Sequence, residues 1–74
     1  MVNKDVLKKF YIQELETSIV SHLAELLKVD YRKAMNIYFN SKLSKQIESG
    51  KNGIENLDYK NLAEDLIENE LSQH

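Results

Sequence analysis

Apolar residues recur along the first third of the chain at helical spacing. Tyr11, Ile12, Leu15, Ile19, Leu23 and Leu26 stand three and four apart, which puts them on one face of a helix. Val20 and Leu27 widen that face, and Val6, Phe10 and Ala24 form a narrower strip round the back. No Pro or Gly interrupts residues 5–28. The pattern predicts one amphipathic helix of about 24 residues, some 36 Å long at 1.5 Å per residue. Asn3 is its candidate N-cap, Asp5 suits the positive pole of the helix dipole, and Lys28 suits the negative one.

The same period predicts three shorter helices. Tyr31, Ala34, Met35, Tyr38 and Phe39 mark a helix over 31–39 with Asp30 as its N-cap. Leu43 and Ile47 mark one over 42–49 behind Ser41. Asn40-Ser41 either separates these two helices or bends a single one, since Asn tolerates the left-handed conformation. Gly50-Lys51-Asn52-Gly53 is the clear break, and Asn-Gly marks a turn. Ile54 and Leu57 are expected to pin the loop 50–58 to the core. Asp58 then caps a helix over 59–71, whose stripe is Tyr59, Leu62, Ala63, Leu66, Ile67 and Leu71. Leu57 and Leu62 flank that cap as a hydrophobic staple does. No alternating β-branched run suggests a strand. The expected fold is all-α: a single domain over 1–74, with one long N-terminal helix crossed by three shorter helices.

Length changes this picture first. A chain of 74 residues buries only about 60–65% of its unfolded surface, and its core supplies about 3–5 kcal/mol. It has no Cys, so neither disulfides nor thiolate zinc sites add to that, and a thiol nucleophile is excluded. Oligomerisation is the remaining common source of buried area. A helix of about 36 Å with a wide apolar belt points the same way. The expectation is a homodimer through the first helix, or a hetero-complex using the same face. The interface candidates are Leu15, Ile19, Leu23 and Leu26, with Tyr31, Tyr38 and Tyr59 as amphipathic rim anchors.

Charge and candidate chemistry refine the function classes. Ten basic residues nearly balance twelve acidic ones. No apolar run approaches the ~18 residues that span a bilayer. Lys8-Lys9 stands where a secretion signal needs its apolar region, so the expected compartment is the cytoplasm. His22 has only Glu25 within one helical turn as a polar partner able to bind metal, which is too little for a metal or a proton relay. Glu64, Asp65 and Glu68 read as a solvated face that could dock a basic partner. The two-glycine loop lacks the Lys-Ser/Thr that a phosphate loop needs. The expectation is therefore a protein that is not an enzyme and takes no cofactor or metal.

The middle of the chain is basic, with six cations against two acids over residues 28–51, whereas residues 55–74 carry one cation and six acids. Residues 31–49 have the rough dimensions of a helix-turn-helix, which gives an alternative function as a small DNA-binding regulator. Arg32, Lys33, Lys42, Lys45 and Gln46 would make its contacts. Against it, 42–49 holds no Arg, the turn lacks its usual glycine, and an acidic last helix alongside would repel DNA.

Three stretches of the C-terminal part carry a resemblance. They are Tyr38-Phe39-Asn40-Ser41-Lys42-Leu43 with Ile47-Glu48-Ser49-Gly50, then Gly53-Ile54-Glu55-Asn56-Leu57-Asp58-Tyr59, then Leu62-Ala63-Glu64-Asp65-Leu66-Ile67. The pattern resembles small uncharacterised bacterial all-helical proteins encoded in toxin–antitoxin-like gene clusters, beside ADP-ribosyltransferase-like toxin genes. It covers the C-terminal half to two-thirds of the chain and contains no catalytic motif. It implies a cytoplasmic protein–protein module, an antitoxin or an accessory component, and supplies no functional residues.

Overall fold

In the computed structural model, which describes residues 4–50 and 57–71, four helices follow one another: α1 (Lys4–Leu27), α2 (Tyr31–Phe39), α3 (Lys42–Ser49) and α4 (Tyr59–Leu66). There is no strand among the described residues. α1 is the spine, and α4, α2 and α3 all pack against it. The expected all-α architecture is the observed one. The expected Asn3 cap, the Asn52-Gly53 turn and the Ile54 anchor lie outside the described residues.

Each short helix starts at a side-chain cap. Asp30 accepts a 2.7 Å bond from the Lys33 amide, the Ser41 hydroxyl accepts from the Ser44 amide, and Asp58 accepts from the Lys60 amide. Each satisfies an amide that the helix itself leaves unpaired. α2 and α3 are separate helices, so the bend does fall at Asn40-Ser41. Asn40 is not left-handed, however, with φ −95° and ψ 2°. Its side chain donates instead to the Asn36 carbonyl at 2.8 Å, and Ser41 alone turns the chain into extended backbone.

Left-handed backbone occurs elsewhere. α1 stops at Leu27, one residue short of the expected end, because Lys28 has φ 57°. The Val29 amide then bonds back to the Ala24 carbonyl at 3.1 Å, the six-to-one bond of a Schellman stop. Val29 packs on the core, and Asp30 begins the next cap at once. The geometry of the junction thus forces a conformation that Lys adopts at a cost. Gly50 ends α3 at φ 68°, where the conformation is free of that cost. A Cβ at Gly50 would stand 3.2 Å from the Lys8 ammonium, so a cation of α1 sits by the negative pole of α3.

The last helix departs from expectation at its end. Ile67–Leu71 winds as a π-helix, a rare form, rather than continuing the α-helix to residue 71. Glu70 in this stretch accepts from the Lys42 amide at 2.9 Å and the Leu43 amide at 3.2 Å. Two charge-assisted bonds at the positive pole of α3 offset the poorer winding. Leu57 also differs: it is 54% exposed, so it does not pin the chain before Asp58 to the core.

Among the described residues the core is a single cluster. α1 contributes Leu15, Ile19, Val20 and Leu23, α2 contributes Ala34 and Tyr38, α3 contributes Leu43 and Ile47, and α4 contributes Leu62, Ala63 and Leu66. The stripe read from α1 is therefore its inner face from Ile12 onward. Tyr11 and Leu26, at the two ends of that stripe, are exposed.

Candidate functional site: the outer face of α1 and α2

The apolar arc of α2 spans about 140° at 100° per residue, more than one neighbour covers. α1 takes half of it. Ala34 and Tyr38 are fully buried, whereas Tyr31, Met35 and Phe39, spaced four apart, stand on the surface at 43, 38 and 46% exposure. The Phe39 ring leans edge-on against Tyr38, with centroids 4.9 Å apart, so a buried ring fixes the exposed one.

A depression of about 250 Å³ runs between this row and α1, lined on the α1 side by Gln13, Glu16, Thr17 and Val20. It continues across α1 through Gln13 and Thr17 to Phe10 and Glu14. In the other direction it continues past Met35 and Phe39 to Arg32, Lys33 and Asn36. One shallow surface thus joins Phe10, the most exposed of the described large apolar side chains at 60%, to the α2 row. Val6 stands one turn before Phe10 on the strip at the back of α1.

A buried carboxyl lies at the floor. Glu16 is 8% exposed, and the Tyr38 hydroxyl donates to its Oε2 at 2.7 Å. Burial raises the Glu16 pKa, the Tyr38 bond opposes that rise, and the nearby Glu48 carboxylate reinforces it. Burial first, then Glu16, push the Tyr38 hydroxyl far up, so it stays a donor throughout the physiological range. The Tyr38 bond ties α2 to α1 through a polar contact beside an apolar core, and Glu48 of α3 adds like charge near the same carboxyl.

The interface candidates read from the sequence are corrected on this ground. Leu15, Ile19, Leu23 and Tyr38 belong to the chain's own core, since the three short helices cover that face of α1. Tyr59 is half-buried, with its ring edge-on to His22 at 5.8 Å. Leu26 and Tyr31 do reach the surface, and Tyr31 lines the α1–α2 depression. Phe10, Met35 and Phe39 lie outside that set, although the width of the α2 arc and the strip behind α1 signal them. Glu16 also had a signal: it falls inside the apolar arc of α1, between Leu23 and Val20 in angle.

The groups considered for chemistry stay apart. His22 Nδ1 lies 3.9 Å from Glu25. Among the described residues, no three His, Asp or Glu side chains converge on a metal position, and no helix is long and apolar enough to cross a membrane. Arg32, Lys33, Lys42, Lys45 and Gln46 are all exposed. The start of α3, where a helix-turn-helix meets phosphate, is already occupied by the Glu70 carboxylate, and Asp65 lines the same depression as Lys42 and Gln46. DNA there would meet negative charge.

Comparison with family models, curated proteins and solved structures gave no match.

Proposed function

We propose that this chain is a non-catalytic protein-interaction module that docks a protein partner on the outer face of α1 and α2. One observation carries the reading: an already complete core leaves Phe10, Tyr31, Met35 and Phe39 exposed around one continuous depression. Isolated exposed apolar residues are ordinary, but a contiguous patch that includes three aromatics is the usual mark of a protein contact. Folding alone gives no reason for it, because polar residues at these positions would serve the core equally well. An antitoxin-like or accessory role in a bacterial cytoplasm is consistent with such a module.

The test compares the tagged wild-type chain with Met35→Glu and Phe39→Glu, after nuclease treatment, for retention of protein, including a differently tagged copy of itself. The expected result is a protein held by the wild type and released by both variants, with their helical circular dichroism unchanged. Retention of the same proteins by all three chains would overturn the reading. So would duplex DNA binding that tightens steeply with falling salt and weakens on Lys42→Ala and Lys45→Ala.

A further inference from the structure

We infer that the occupant of the α1–α2 face is a second copy of this chain, forming a two-fold symmetric dimer; the inference rests on the interaction reading above. The face has opposite charges at its two ends. Arg32 and Lys33 flank Met35 and Phe39 on the α2 side, and Glu14 flanks Phe10 on the α1 side. The middle carries no exposed charge: Gln13, Thr17 and Val20 line it, and Glu16 is buried beneath. Asp30, at the basic end, is engaged in capping α2.

A two-fold axis through the middle depression would lay the α2 row of each copy on the α1 strip of the other. Each Arg32–Lys33 end would then meet the other copy's Glu14, and both contacts form at once. This is the condition an isologous interface must satisfy, residue i on j and j on i. Two faces with charge of one sign would repel in this arrangement, and a hetero-partner would not require the two ends to be complementary to each other.

The area is of the right size. Val6, Phe10, Tyr31, Met35 and Phe39 are each 38–60% exposed. Together they offer roughly 400 Å² of side-chain surface, taking large side chains at 150–250 Å² each. With the Gln13, Thr17 and Glu14 strip and the Arg32–Lys33 rim added, the face approaches the ~800 Å² per partner of a standard interface. The residues expected to dominate are Phe10, Met35 and Phe39, on either side of the uncharged middle, with the charged ends setting register.

Sedimentation equilibrium of the full chain from about 1 to 100 µM tests this. The wild type should approach twice the 8.6 kDa chain mass as concentration rises. Phe10→Glu and Phe39→Glu lie on different helices and on the surface, so at least one stays folded by circular dichroism. Each substitution occurs twice in a symmetric dimer, so self-association should weaken by about 100-fold or more. Glu14→Lys should weaken it more modestly, and combining Glu14→Lys with Arg32→Glu and Lys33→Glu should restore it. A wild type that is monomeric at 100 µM overturns the dimer, as does a dimer that survives both phenylalanine substitutions with fold intact. A monomeric wild type that still holds a foreign protein through Phe39 would leave the interaction face standing and refute only the identity of its occupant. A monomer whose Phe39→Glu form retains the same proteins as the wild type would refute both.

Discussion

Tyr38→Phe removes a single oxygen from the centre of the molecule. Its ring is fully buried, and Phe fills the same space, so packing is unchanged and no cavity forms. What is lost is the 2.7 Å bond to Glu16. A hydrogen bond to a charged acceptor contributes about 1.5–3 kcal/mol, and an acceptor left buried without a donor costs in the same range. We therefore expect Tyr38→Phe to lower unfolding free energy by about 2 kcal/mol at pH 7.5. For a domain of this size each kcal/mol moves Tm by about 4–8 °C, so the melting shift should be about 8–16 °C.

The pH dependence gives the sharper check. The Glu16 pKa is raised in the folded state, chiefly by burial. A raised carboxyl binds its proton more tightly folded than unfolded. Its contribution to stability is thus fully present below the ordinary carboxylate pKa and is lost as pH rises through the raised value. The Tyr38 bond favours the charged form, so the cost of Tyr38→Phe should be largest at neutral pH and should shrink on acidification. Glu16→Gln gives the mirror image. Its amide oxygen still accepts from Tyr38 and carries no charge, so this variant should be more stable than the wild type at pH 7.5, with a margin that narrows toward pH 4.5. Urea melts of the three proteins from pH 4.5 to 8 read both differences. A Tyr38→Phe cost below about 0.5 kcal/mol at pH 7.5, or one that does not shrink in acid, would refute the argument that Glu16 is held as a buried, Tyr38-bonded carboxyl.

Three further outcomes follow from particular contacts. Lys28→Gly relieves a left-handed residue at the α1 stop and should raise stability by about 1 kcal/mol, read as a higher urea midpoint at unchanged slope. Glu70→Ala removes the acceptor for the Lys42 and Leu43 amides and should cost about 1–2 kcal/mol, with amide exchange rising first at the start of α3. Ile19→Asp puts a carboxylate at a position with no exposure and should unfold the chain, seen as loss of helical circular dichroism at every concentration.

Local signals were enough for the helices. Asp30, Ser41 and Asp58 each precede a run with a 3.6-residue period, and each is the cap it was expected to be. The features that escaped the sequence depend on residues far apart in the chain. Ile67–Leu71 reads locally as ordinary helix, and its π winding goes with two bonds that Glu70 accepts from amides 28 and 27 positions earlier. Lys28 carries none of the usual marks of a left-handed stop; the burial of Val29 and the immediate start of α2 impose it. The exposed face depends on packing for a related reason. Periodicity shows which residues share a face but not how much of that face a neighbour covers. Ala34 and Tyr31 belong to one stripe of α2, yet one is buried and the other is 43% exposed.

α1 is consequently a helix with two separate tasks, and they can be separated by experiment. Its inner face, from Ile12 to Leu27, is consumed by three helices of eight or nine residues, each about 12–14 Å long. Its outer strip of Val6, Phe10 and Thr17 and the Tyr31–Met35–Phe39 row opposite it lie outside the buried core cluster, with Phe39 resting edge-on against the core ring of Tyr38. If the outer face existed for stability of the single chain, replacing Phe10 or Phe39 by a charged residue would cost as much as a core truncation, about 3–5 kcal/mol. If it exists for a partner, the same replacements should leave the unfolding free energy of the dilute monomer within about 0.5 kcal/mol, as surface changes do, while association is lost. The exposure of both rings favours the second outcome. It also makes the stability of the wild type depend on concentration: a partner that binds only the folded chain draws the equilibrium toward it, so Tm should rise with protein concentration for the wild type and not for Phe39→Glu.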